Sequence, residues 1–175
     1  MILLAIDIQK GITDNRLYNF KGFIENTRKL LDTARKNGVE VIYFQHDYGP
    51  GTGFSAGDRD YEIADEVKPI EGEKIYSKNI NSCFGNENFK EYVKKLEDKT
   101  IMIVGLMTNY CIDATVKSAF ERGFKVIIPE GANTTSDNDY MNAETTYRYY
   151  NEMMWPKRFA ECISMEDAIN LLERK

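Results

Sequence analysis

Four short runs of almost uninterrupted apolar residues constrain this chain most: "ILLAI" (2–6), "VEVIYF" (39–44), "IMIVG" (101–105) and "KVIIP" (125–129). A strand with one wet face alternates apolar and polar residues, whereas a strand covered on both faces does not. Runs this short suit strands rather than helices. Two weaker runs, "KIYS" (74–77) and "ECIS" (161–164), extend the set. Helix-period segments lie between them. Residues 21–37 place Phe23, Ile24, Leu30, Leu31 and Ala34 on one stripe and stop at Gly38. Residues 86–97 carry Phe89, Tyr92, Val93 and Leu96, and 110–122 carry Ile112, Ala114, Thr115, Ala119 and Phe120 before Gly123. Further helices are expected over 142–154 and 164–175, the last opening on Ser164 and Asp167 in a capping-box arrangement. This β-α-β alternation predicts a three-layer α/β/α sandwich around an open, mostly parallel sheet, with 1–175 as a single domain.

Charge narrows the partners. Twenty-eight acidic residues against 23 basic ones give a formal charge of −5, and the basic residues are scattered, so no nucleic acid is expected. No apolar stretch approaches the ~18–20 residues that span a membrane, so no membrane partner is expected. The opening "MILLAI" is too short for a signal-peptide core and lacks a basic leader; a cytoplasmic protein is expected. Cys83, Cys111 and Cys162 are far apart with no CxxC pair, which argues against a disulfide framework or a thiolate zinc site. The single histidine, His46, cannot supply a two-histidine metal site within one chain. Any base for Cys111 is therefore expected not to be an imidazole, and neither metal nor cofactor is expected. The Gly-rich stretch "YGPGTGFSAGD" (48–58) lacks the strand-loop-helix fingerprint of a phosphate cradle and reads as a mobile or interface loop.

In an open parallel sheet, ligands bind beyond the carboxyl ends of the strands. Asp7 ends the run at 2–6 in "LLAIDIQKG", Lys78 ends the weaker run at 74–77 in "EKIYSKNINSCFG", and Cys111 follows the run at 101–105 in "IMIVGLMTNYCIDATVKSAFERG". Alone, each has a bland reading: a polar loop start, a solvated lysine, a packed thiol. Together on one sheet edge they form a chemical set. A helix start and a neighbouring ammonium are expected to acidify the thiol, and Asp7 is placed to take its proton and return it to a leaving group.

These residues carry a resemblance. "D-x-Q" at Asp7 to Gln9, "K-x-x-x-S-x-F" from Lys78 through Ser82 to Phe84, and "G-x-x-T-x-x-C" from Gly105 through Thr108 to Cys111 resemble, in order, the motifs of the isochorismatase-like cysteine hydrolases, the superfamily that includes nicotinamidases. The resemblance implies a Rossmann-like isochorismatase fold with a six-stranded parallel sheet and an Asp7-Lys78-Cys111 catalytic set. It also implies a non-proline cis peptide at Leu106–Met107 and an oxyanion hole from the backbone N–H groups of Met107 and Cys111. The implied reaction is hydrolysis of a small amide-type C–N bond through a thioester. An isochorismatase-type vinyl ether hydrolase is the alternative within the family, and a non-catalytic or redox-sensing α/β protein the alternative outside it. Nicotinamidases resemble one another in a metal site with two histidines, which this chain lacks.

Gln9, Phe44, His46, Asp47, Phe84 and Tyr110 are expected near the same edge as substrate-binding candidates. The segment "ETTYRYYNEMMWPKR" (144–158) is rich in residue types favoured at subunit contacts, and family resemblance suggests a homodimer or homotetramer. The expected partner is a small-molecule substrate.

Overall fold

The computed structural model describes residues 1–174; the final residue of the helix expected over 164–175 lies outside the described residues. In chain order the elements are β1 (Ile2–Ile6), α1 (Phe20–Lys36), β2 (Glu40–His46), β3 (Lys74–Lys78), α2 (Glu87–Lys94) and β4 (Thr100–Leu106), followed by α3 (Asp113–Glu121), β5 (Lys125–Pro129), β6 (Asn133–Thr134), α4 (Ala143–Arg148), β7 (Glu161–Ile163) and α5 (Met165–Glu173). The sheet runs β3-β2-β1-β4-β5-β7, and every pairing is parallel. The expected six strands are therefore present. A two-residue seventh, β6, pairs with the end of β4; its polar Asn133-Thr134 carries no apolar run to announce it.

Continuous apolar character has the anticipated cause. Leu3, Ala5, Val41, Tyr43, Met102 and Val104 point to one face, where Phe23, Leu30 and Leu31 of α1 and Leu172 of α5 cover them. Ile2, Leu4, Ile6, Ile42, Phe44, Ile101 and Ile103 point to the other, against Phe89 and Val93 of α2 and Val116 and Ala119 of α3. Each large side chain so buried contributes about 1.5–3 kcal/mol, which fixes the central strands and hence the positions of their ends. The edge strand β3 is different: Ile75 is exposed, which explains its weak sequence pattern.

Two expected helices differ in detail. The segment expected over 110–122 begins earlier with a wide π-helical turn, Thr108–Ile112, in which the Ile112 N–H bonds to Met107 O at 3.2 Å, before α3 proper. The segment expected over 142–154 divides into α4 and a second π-helical stretch, Tyr149–Met154. Within the aromatic-rich 144–158 segment, Trp155 is fully buried with its Nε1–H donated to Asp113 at 2.9 Å, while Tyr149 and Met153 stay exposed. Among the described residues, no helix is long and apolar enough to cross a membrane.

Close contact between β1 and β4 requires one particular residue. Gly105 adopts φ +133°, and a Cβ built there would lie 2.0 Å from Ile6 O. Only glycine lets the two strands approach where their ends carry Asp7 and the turn to Cys111.

Candidate active site

Strand order brings the polar residues together. β1 lies between β2 and β4, and β3 lies beyond β2, with His46 directly across from Lys78. Asp7, just past β1, has φ 55°, a left-handed conformation that Asp tolerates better than most residues, and its N–H bonds to Phe44 O at 3.0 Å. Cys111 arrives on the π-helical turn after β4. Asp7, Lys78, Cys111 and His46 are all buried, between 2% and 8% exposed.

The Lys78 ammonium is the hub. It donates to Asp7 Oδ2 at 2.7 Å and to Cys111 Sγ at 3.3 Å, and lies 3.1 Å from His46 Nδ1. An ammonium has three N–H groups, and here each has one acceptor. Accepting at Nδ1 sets the His46 tautomer: the ring proton sits on Nε2 and the imidazole is neutral. Burial and then the nearby Lys78 charge depress the His46 pKa, which keeps it so. His46 Nδ1 is also 3.8 Å from Cys111 Sγ, but its lone pair is already committed to Lys78.

Burial dominates the titration of the set. It opposes the Lys78 charge, but the Asp7 carboxylate acts first in the other direction, and the ammonium holds its proton more firmly than usual. Burial raises the Asp7 pKa, with Lys78 opposing, which makes its carboxylate a stronger base than a solvated one. The Cys111 thiol does not follow the acidification expected for a helix start beside an ammonium. Burial first, and the Asp7 charge second, push its pKa up to about 12, with Lys78 opposing. At rest Cys111 is therefore a thiol. Asp7 Oδ2 is held by Lys78, while Oδ1 is buried and has no hydrogen-bond partner among the described residues.

The Leu106–Met107 peptide is cis. The turn that follows it is tied down by buried polar contacts. Thr108 Oγ1 donates to Asn133 Oδ1 at 2.7 Å, Asn133 and Asn151 exchange amide hydrogen bonds at 2.8 and 3.1 Å, and Thr135 Oγ1 donates to Asn109 Oδ1 at 2.6 Å. None of these asparagines belongs to a motif in the sequence. Their shared signal is polarity in segments that must pack against the sheet.

The remaining candidates separate. Gln9 is wholly buried and spends its amide on backbone: it accepts from the His46 N–H at 2.8 Å and donates to His46 O at 3.1 Å and Tyr61 O at 2.9 Å. It thereby fixes the end of β2. Phe44 and Phe84 both pack on Phe89 in the core. Asp47 is half-buried, accepting from the Gly49 N–H at 2.8 Å, and Tyr110 is exposed. Two neighbours have no sequence signature. The Cys111 thiol lies 3.7 Å from Asn81 Oδ1, and the exposed Tyr48 ring rests 4.5 Å from the His46 ring.

Asp7, His46 and Cys111 each present a ligand atom within 4.8 Å of the others. The Lys78 ammonium sits where the three converge, so the residues do not fit a metal ion.

The sequence matches an isochorismatase domain over residues 1–167. It is 32% identical over 154 residues to the isochorismatase family protein YrdC of Bacillus subtilis, covering 83% of this chain and 82% of that protein. It is 29% identical over 164 residues to the ureidoacrylate amidohydrolase RutB of Agrobacterium fabrum, covering 77% of this chain and 72% of that protein. Among solved structures, a protein of the isochorismatase family from Chromobacterium violaceum aligns with a TM-score of 0.91 at 22% identity, covering 99% of this chain and 94% of that one.

Proposed function

Because the chain belongs to the isochorismatase family of hydrolases, we propose that it hydrolyses a small amide-type C–N bond through a thioester on Cys111, with 1–175 acting as one catalytic domain. The observation that carries this reading is the arrangement at Asp7: one oxygen anchored by Lys78, the other buried with no hydrogen-bond partner among the described residues, and the carboxylate within 4.8 Å of the thiol sulfur. The likeness to a ureidoacrylate amidohydrolase supports the amide class.

In the proposed cycle Asp7 takes the thiol proton as Cys111 Sγ attacks the carbonyl carbon. The tetrahedral oxyanion is received by the backbone N–H groups of Met107 and Cys111, a type of interaction whose loss costs on the order of 10²–10³ in turnover. Asp7 returns the proton to the departing nitrogen, and ammonia or an amine leaves. Water, deprotonated by Asp7, then hydrolyses the thioester and restores the thiol. Lys78 remains charged throughout and keeps the carboxylate and sulfur in register.

The test is a panel of small amides, with nicotinamide and isochorismate included, assayed for ammonia, amine and pyruvate. The proposal expects nitrogen release that disappears in Cys111→Ala. Pyruvate release that survives Cys111→Ala would overturn it in favour of ether cleavage.

A further inference from the structure

On the face of the sheet covered by α2 and α3, a cavity of about 300 Å³ opens between α2 and the end of α3. None of Asp7, His46, Lys78 or Cys111 lines it. Its floor is apolar: Phe84, Val93 and Phe124, with the two phenyl rings 5.9 Å apart. Its rim is cationic: Lys90, Lys94, Lys99 and Arg122, with no carboxylate lining it among the described residues. In a chain of formal charge −5, this is a local inversion of sign.

Two of these cations are answered and two are not. Lys90 and Lys94 pair along α2 with Glu87 and Glu91, each at 2.5 Å. Lys99 and Arg122 have no carboxylate partner among the described residues. Lys99 Nζ donates to Val93 O at 2.9 Å and Lys94 O at 3.3 Å, at the end of α2, and lies 5.3 Å from the Phe124 ring centroid. Arg122 Nη1 donates to Ser118 O at 2.8 Å, and its guanidinium lies 4.8 Å from the Phe84 ring centroid. An ammonium carries three N–H groups and a guanidinium five, so both keep donors to spare. The backbone and ring contacts hold these two charges beside the apolar floor.

This combination selects a ligand class. An inorganic anion would answer the cations and leave the floor wet. A neutral apolar molecule would cover the floor and leave the charges unanswered. An acid with a flat apolar body does both, and the Arg122 fork matches a carboxylate. A volume of about 300 Å³ is at the small end for ligand sites, which suits one ring rather than a fused system.

We propose that this cavity is a second, non-catalytic binding site for a single-ring aromatic carboxylate, held by Arg122 and Lys99 over Phe84 and Phe124. The site does not depend on the amidase reading, because no residue of the catalytic cluster lines it.

The experiment titrates the full chain with 4-fluorobenzoate, followed by fluorine NMR. Saturable binding is expected, at least about tenfold tighter than that of 4-fluorobenzyl alcohol, the scale of one charge-assisted hydrogen bond. Equimolar acetate, which has the charge without the ring, should not displace it. Arg122 and Lys99 are exposed, so Lys99→Glu/Arg122→Glu should fold, as circular dichroism would check, and should weaken binding at least about tenfold. Lys29→Glu/Lys36→Glu changes the net charge equally from exposed positions on α1, which covers the other face of the sheet, and should leave affinity within about twofold. Four results would each overturn the proposal. They are no saturable binding up to about 10 mM, equal affinity for the alcohol, displacement by acetate, and equal loss in the two double variants. Unchanged affinity in Lys99→Glu/Arg122→Glu would place the benzoate elsewhere and overturn it as well.

Discussion

Asp7→Asn should move thiol acidity and turnover in opposite directions. The substitution keeps shape and removes one negative charge within 4.8 Å of Cys111 Sγ. At an effective dielectric constant near 20, two unit charges at that separation repel by about 3.5 kcal/mol. At 1.36 kcal/mol per pKa unit, this corresponds to roughly 2.5 units. The thiol, raised to about 12 by burial and by this charge, should therefore become more acidic by about two units. Lys78, relieved of its carboxylate, would add to the effect. More thiolate would ordinarily mean a better nucleophile. Turnover should nonetheless fall by about 10²–10⁴, the usual contribution of a general acid–base group, because nothing remains to protonate the departing nitrogen. Thiolate absorbance near 240 nm against pH, with Cys111→Ala as blank, gives the first quantity, and steady-state nitrogen release gives the second. An Asp7→Asn protein with unchanged thiol acidity, or with turnover within tenfold of the parent, would refute the assignment of Asp7 as the proton carrier.

Three further outcomes follow from the same contacts. His46→Leu leaves one Lys78 N–H without its acceptor and should lower kcat by roughly 10–100-fold, the worth of a hydrogen bond to a charged group, whereas His46→Asn, which offers a carbonyl oxygen, should recover most of the loss; equal defects in both would contradict the acceptor role. Because the His46 pKa is depressed in the folded protein, the unfolded chain binds more protons below about pH 6.5, so the contribution of this group to stability is lost as pH falls through that region. Urea melts across pH 5–8 should show a slope of that sign that is flattened in His46→Asn. Gly105→Ala places a methyl 2.0 Å from Ile6 O and should destabilise by about 3 kcal/mol, or prevent folding; a loss under about 1 kcal/mol would show that β1 and β4 can part without cost.

The sheet was largely legible because burial on both faces leaves runs such as "ILLAI" without a polar residue. What escaped was local. β6 has two polar residues, and the π-helical turn at Thr108–Ile112 keeps the same apolar spacing as an α-helical one, so periodicity cannot distinguish them. In the site, Asp7, Lys78 and Cys111 each follow a readable strand. His46 enters the cluster because β2 lies between β1 and β3, with His46 across from Lys78, a consequence of strand order rather than of any motif. The sequence places His46 at this edge as a substrate-binding candidate; its role as an acceptor for the Lys78 ammonium comes only from the fold. Thiol acidity was misjudged for a different reason. A helix start and an ammonium are visible in sequence, but the depth of burial, the largest cause of the raised thiol pKa, exists only in the fold.

The measurement closest to the central claim is mass analysis of protein quenched with acid within the first turnovers on an amide from the panel. A mass increase equal to the acyl group, carried by the peptide containing Cys111, released by hydroxylamine and absent in Cys111→Ala, is the predicted result. Nitrogen release at full rate with no acyl adduct at any quench time, together with retained turnover in Cys111→Ala, would contradict it.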